Sequence, residues 1–315
     1  MIRYQGQPRR DIVIMTYVVF GLLCLCTCSG SQSTLIELVP SDSCAVVVID
    51  WSKVGTDGDL KKVFNGEQLE SVLQQLGLDS SAIKSIAIFS GINSQAKAGM
   101  LLRGDLNKQT QILALKTRGW REESAGGHQL FVKGRDYAAF PQGNTLFAGT
   151  RDGAMAVFNA LDDRNLSFSS STSYKKVLDG MSTRNNPVRA YLVIPQGTLD
   201  MADAALEATS FALSLFDLGS VGALVKQMNV ASGFGLSLGP AADHMYSVEM
   251  CVLMRDEKAA AFISGSLNLL KSFSGSPGMN AREPQALRDL SITRHGAVLS
   301  LKLKVPQTAL LPPGR

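Results

Sequence analysis

Apolar and polar positions alternate with a period of two in the C-terminal part of the chain. Tyr246, Val248, Met250, Val252 and Met254 alternate with Ser247, Glu249, Cys251 and Leu253. Leu299, Leu301, Leu303 and Val305 alternate in the same way with Ser300, Lys302 and Lys304. Such alternation predicts strands with one apolar face and one largely polar face. Residues 44–51, CAVVVIDW, are apolar almost throughout and predict a central strand, bounded by Pro40 and Ser41. Further strands are expected at 83–90, 99–102, 188–194 and 231–238. Hairpins are expected over 128–149, turning at Gly143-Asn144, and over 289–305, turning at Gly296. Helical spacing places Leu69, Val72, Leu73 and Leu76 on one face of a 66–76 helix that Gly77 ends. Helices are also expected over 107–117, over 150–162 with Thr150 as N-cap, and over 199–228 and 256–272.

The order of these elements repeats. Strands starting at 44, 83 and 99 find counterparts starting at 188, 231 and 245, at offsets of 144, 148 and 146 residues. The fold class read from this is α+β. It consists of duplicated β-α-β-β-α-β-like units, with mostly antiparallel or mixed sheets and helices on one face. The expected organisation is a leader (1–27), a tether (28–39), a first half (40–162), a Ser/Asn-rich connector (163–187), a second half (188–306) and a tail (307–315).

The leader carries the clearest address. Residues 1–11 are polar and net positive, and residues 12–28 are uncharged and apolar before the chain turns to small polar residues. That is the order of an export signal. Leu25-Cys26-Thr27-Cys28 resembles the cleavage box of bacterial lipoprotein signals, in which a Leu precedes by three residues a Cys that is lipidated and becomes the N-terminus. The resemblance implies a protein anchored to the cell envelope through Cys28, facing the periplasm or the exterior. It also implies loss of Cys24 and Cys26, which removes any metal reading of the Cys24, Cys26, Cys28 run. Cys44 and Cys251 would remain, as two free thiols rather than a disulfide.

A second resemblance lies in NTLFAGTRDGAMAVFNALDDRNLSFSSSTSYKKVLDGM, residues 144–181, and in LVPSDSCAVVVIDW, residues 38–51. Both resemble segments of a bacterial exported family of unknown function, the DUF3352 type. Thr150, Ala154, Leu161, Ser169, Tyr174 and Leu178 carry the pattern. The resemblance implies an envelope location and a duplicated α+β fold, and it implies no activity.

Charge and composition narrow the chemistry. With 31 basic and 27 acidic residues the formal charge is +4, and the leader holds part of that excess, so no nucleic-acid partner is expected. His128, His244 and His295 each stand alone, outside any metal-ligand spacing. Gly235-Leu236-Ser237-Leu238-Gly239 has GxSxG spacing, but it falls within an expected strand and not at a strand-to-helix turn, so it is not read as a nucleophile elbow. Asp57-Gly58-Asp59 lacks the further oxygen ligands of a calcium loop. Gly233-Phe234-Gly235-Leu236-Ser237-Leu238-Gly239 is one residue too long for a dinucleotide fingerprint and falls within a strand, so its glycines read as close-packing positions. No cofactor, metal or catalytic residue is assigned. The unusual segment is 204–225, AALEATSFALSLFDLGSVGALV. Phe211, Leu215, Phe216 and Leu218 there are candidate contacts for an apolar ligand. The leading functional reading is a non-enzymatic envelope lipoprotein that binds a protein partner or supports an assembly. The alternatives are a carrier or sensor of an apolar ligand, and a hydrolase whose site assembles in space.

Overall fold

Twelve strands drawn from both halves of the chain join one continuous sheet. This is a computed structural model, describing residues 33–64, 67–91, 97–183, 185–193, 231–242, 245–273 and 289–306. The strands are β1 (Ser43–Ile49), β2 (Ile83–Gly91), β3 (Ala98–Gly104), β4 (Arg121–Ala125), β5 (His128–Lys133), β6 (Asp136–Gln142), β7 (Thr145–Gly149), β8 (Val188–Val193), β9 (Ala231–Pro240), β10 (Met245–Met254), β11 (Ser291–His295) and β12 (Val298–Pro306). Their order across the sheet is β11-β12-β10-β9-β8-β1-β2-β3-β7-β6-β5-β4. Every neighbouring pair is antiparallel. The two halves meet at the centre, where β1 pairs β8 with Val47 opposite Ala190. The fold is therefore α+β, built on a large antiparallel sheet.

The helices are α1 (Ser33–Ile36), α2 (Trp51–Val54), α3 (Gly58–Phe64), α4 (Glu67–Leu76), α5 (Lys108–Thr117), α6 (Arg151–Asp162), α7 (Thr172–Gly180) and α8 (Glu257–Phe273). Helices α2, α3, α4, α5 and α8 cover one face, packing on Val47, Ile49, Ile86, Ile88, Met250 and Leu301. Helices α1, α6 and α7 cover the other, against Val46, Val48, Ala87, Phe89, Leu101 and Cys251. Expecting helices on one face alone is thus corrected. The central strands are apolar on both sides, Val46 and Val48 on one and Val47 and Ile49 on the other, and both sides need cover. The half-polar alternation of β10 and β12 does not extend to β1 and β2.

The segments expected as tether and connector both pack against the sheet. Leu35, Ile36, Leu38 and Val39, expected within a 28–39 tether, are buried. The connector supplies Phe168, Tyr174, Val177 and Met181 to the same core, so it is a packed layer. Strand β4, REESA, lies outside the expected 128–149 hairpin. It is a sheet edge with charged, mostly exposed side chains, and so shows no apolar alternation.

Local signals otherwise place the elements well. Thr150 Oγ1 accepts the Gly153 N–H at 3.0 Å and caps α6. Asn107 Oδ1 accepts the Thr110 N–H at 3.1 Å at the start of α5. Helix α4 stops at Gly77, whose φ of 73° is left-handed. Among the described residues no helix is long and apolar enough to cross a membrane.

Candidate functional site

The densest buried polar constellation among the described residues surrounds Glu249 on β10. Alternation along β10 turns this side chain to the face carrying α6 and α7, where it is 2% exposed. Register sets Ser237 of β9 on one side of it and Lys302 of β12 on the other. The chain leaves α7 directly above. Glu249 Oε1 accepts the Ser182 N–H at 3.0 Å, the Ser182 hydroxyl at 2.9 Å and the Ser300 hydroxyl at 3.0 Å. Oε2 accepts the Thr183 N–H at 2.8 Å and its hydroxyl at 2.5 Å. Ser237 Oγ donates to the Thr183 carbonyl at 3.1 Å and accepts from Asn186 Nδ2 at 3.0 Å. Lys302 Nζ donates to Ser182 Oγ at 3.3 Å.

Burial alone would raise the Glu249 pKa. The Thr183 hydroxyl and the Ser182 and Thr183 donors more than reverse this and hold it below the ordinary carboxylate value. A carboxylate offers about four lone-pair positions. Five donors already occupy them, so no acceptor site is open to a proton in transit. The arrangement clamps the α7–β8 turn to the sheet and is poorly suited to general-base work.

The glycine run of β9 belongs to the same clamp. A Cβ on Gly235 would lie 2.4 Å from Val177 Cγ1 of α7. One on Gly239 would lie 2.5 Å from Asn186 Oδ1. These glycines let α7 and the turn after it approach the sheet backbone.

The other candidates resolve individually. His128 stacks on Phe158 of α6, with centroids 3.9 Å apart and planes 7° from parallel, and its Nε2 lies 3.7 Å from Asp162 Oδ2. Among the described residues no serine or cysteine hydrogen-bonds to it. His295 is exposed and ends β11 beside a half-buried turn. Asp57 Oδ1 accepts the Asp59 and Leu60 N–H groups at 3.1 and 3.0 Å, and the Tyr246 hydroxyl at 2.7 Å. It therefore caps α3 and ties it to β10. Among the described residues there is no cluster of three or more metal-ligating side chains.

Cys44 and Cys251 are buried and free. Strands β8 and β9 lie between β1 and β10, so the two thiols are three strand spacings apart, roughly 14 Å. A disulfide needs Cα atoms within about 7 Å. Cys28, His244, Phe211, Leu215, Phe216 and Leu218 lie outside the described residues. Sequence reasoning missed the Glu249 clamp. Its signal was a lone acid on a strand face otherwise read only as polar, with its partners 66 and 67 residues away in Thr183 and Ser182.

No family model matches the chain, and no curated protein matches it. Solved structures of TP0453 in several crystal forms are similar to it. Forms I and III are each 10% identical with a TM-score of 0.47, covering 87% of this chain and 94% and 95% of theirs. Form IV has the same identity and score over 89% of this chain and 98% of its own. At that identity and score the likeness assigns no function.

Proposed function

We propose that the protein is a non-enzymatic lipoprotein of the bacterial cell envelope. Anchored through Cys28, it presents a rigid α+β platform to a protein partner. The observation that carries this is the saturation of Glu249. The most elaborate buried polar group described is spent on fixing the platform and keeps no acceptor free for a substrate. The export leader and Leu25-Cys26-Thr27-Cys28 support the anchor. Multiple acyl chains make such an anchor stable. Intact mass of the mature N-terminus tests the anchor, with a lipidated Cys28 expected. Pull-down from detergent-solubilised membranes, with identification of the captured protein, tests the interaction role. An unmodified Cys28 would overturn the anchor, and substrate turnover would overturn the non-enzymatic role.

The platform is further read as an internal duplication with halves 40–162 and 188–306. Strand order supports it. Counting outward from the central pair gives β1-β2-β3-β7-β6 on one side and β8-β9-β10-β12-β11 on the other, the same chain order twice. Helices α5 and α8 fall at corresponding places, after the third strand and on the same face. Superposing the halves in an experimental structure tests this reading. Failure of those strands to superpose in this register removes it.

A further inference from the structure

The point where the chain enters the fold sets how the platform sits on a membrane. Helix α1 starts at Ser33 and its Leu35 is fully buried, so the leash from Cys28 to Ser33 spans five residues and reaches about 18 Å at most. The entering segment is fastened to the 3₁₀ turns Arg164–Leu166 and Phe168–Ser170. Ser167 Oγ donates to the Ile36 carbonyl at 3.2 Å. The Phe168 N–H donates to the Val39 carbonyl, and the Ser41 N–H to the Leu166 carbonyl, each at 2.7 Å.

Leu166 is 46% exposed at this seam. The other exposed large hydrophobics among the described residues, Leu113, Phe262 and Leu269, lie on α5 and α8 across the sheet. The helix, sheet and helix layers are each roughly 10 Å deep. A bilayer touching α5 would therefore stand about 25–30 Å from the entry point even through the protein, and farther around it. The leash does not cover that path.

We infer that the seam around Leu166, on the α1/α6/α7 face, is held against the lipid surface, and that the α5/α8 face is turned away from it. The inference rests on lipidation at Cys28.

The test uses lipidated full-length protein in phosphatidylcholine vesicles carrying a headgroup nitroxide. An environment-sensitive fluorophore is attached in Leu166→Cys or in Leu113→Cys. The unsubstituted protein, whose described thiols Cys44 and Cys251 are buried, reports background. Asn165→Cys, at an exposed neighbouring position, replaces Leu166→Cys if that variant folds poorly. Quenching is expected to be several-fold stronger at 166 or 165 than at 113. Inserting about 20 Gly/Ser residues ahead of Ser33 should bring the two positions toward equality. Equal quenching with the natural leash, or stronger quenching at 113, overturns the inference while leaving the anchor standing. An N-terminal mass without acyl chains overturns both.

Discussion

The same face of the sheet is closed by two different chemistries on its two sides. Counted outward from the centre, one transverse row reads Val46, Phe89, Gly99, Gly149, Tyr137. On the other side, the row that continues across the centre from neighbouring Val48 reads Arg189, Ser237, Glu249, Lys302, Ser291. The ladders are alike and the side chains are not. In the first row a Cβ on Gly99 would lie 2.2 Å from Phe147 Cε2, so the glycine makes room for a ring that also lies 6.2 Å from Phe89. Helix α6 closes the layer with Ala154, Val157 and Phe158. In the second row the cover is a turn, and Glu249 holds it with hydrogen bonds. Apolar cover is non-directional and contributes in proportion to area. A hydrogen-bonded carboxylate contributes little net energy when complete and costs much when broken, because its donors stay behind.

The comparison is sharpened most by truncating each side's central group. Phe147→Ala removes a fully buried ring and should cost about 3–5 kcal/mol of unfolding free energy. Glu249→Ala strands five donors and should cost about 3–5 kcal/mol as well. Denaturant melts at neutral pH measure both. A cost below about 1 kcal/mol for Glu249→Ala would mean that the turn is held by something other than the carboxylate.

The two sides should also differ in pH response. The folded-state pKa of Glu249 is depressed, so the unfolded chain takes up the proton first. Its contribution is present above the ordinary carboxylate range, around pH 4, and is lost as pH falls through and below it. Glu249→Gln should cost about 1–3 kcal/mol near pH 7, and the gap to the parent protein should close as pH falls toward 3. Phe147→Ala should keep a gap that does not depend on Glu249 ionisation. Parallel curves for Glu249→Gln and the parent would remove the electrostatic half of the contrast.

What the sequence discloses follows the same division. The apolar faces of β10 and β12 are legible because period two is a local signal, and all nine positions from Tyr246 to Val305 read as apolar are in the core. The Thr150 cap is legible for the same reason. The GxGxxxG spacing in β9 is legible only as close packing, since what approaches Gly235 is α7, more than fifty residues earlier in the chain. The role of Glu249 depends on the same long-range contact. The entry segment escapes because Leu35, Ile36, Leu38 and Val39 form too short a run for a period to emerge.

A smaller effect is expected where α7 meets the sheet. Gly235→Ala places a methyl against Val177 and should cost about 1–3 kcal/mol through overpacking. Val177→Ala should recover part of that cost in the double variant. Additive costs would mean that α7 moves aside freely. On the opposite face, Tyr246→Phe removes the bond to Asp57, whose charge, after burial, raises the tyrosine pKa. A loss of about 1–2 kcal/mol is expected from thermal melts.

The smallest expected effect concerns the thiols, one in each half of the chain. Burial pushes the Cys251 pKa up to about 12, with the Ser300 hydroxyl opposing and the Glu249 charge adding to the rise. Burial likewise raises Cys44, whose Sγ donates to the Ser90 carbonyl at 3.3 Å. Thiolate is the reactive form, so both should be nearly inert to alkylating reagents in the folded protein at neutral pH. A reductant should leave stability unchanged, because the strand spacing forbids a bridge between them. Labelling of either thiol should then follow opening of the structure. Glu249→Ala is expected to speed modification of Cys251 more than that of Cys44, since Cys251 lies beneath α7 beside the broken clamp and Cys44 does not. Peptide-resolved alkylation rates at sub-denaturing urea measure the difference. Equal acceleration at both thiols would show that the polar side and the apolar side open together as one cooperative unit.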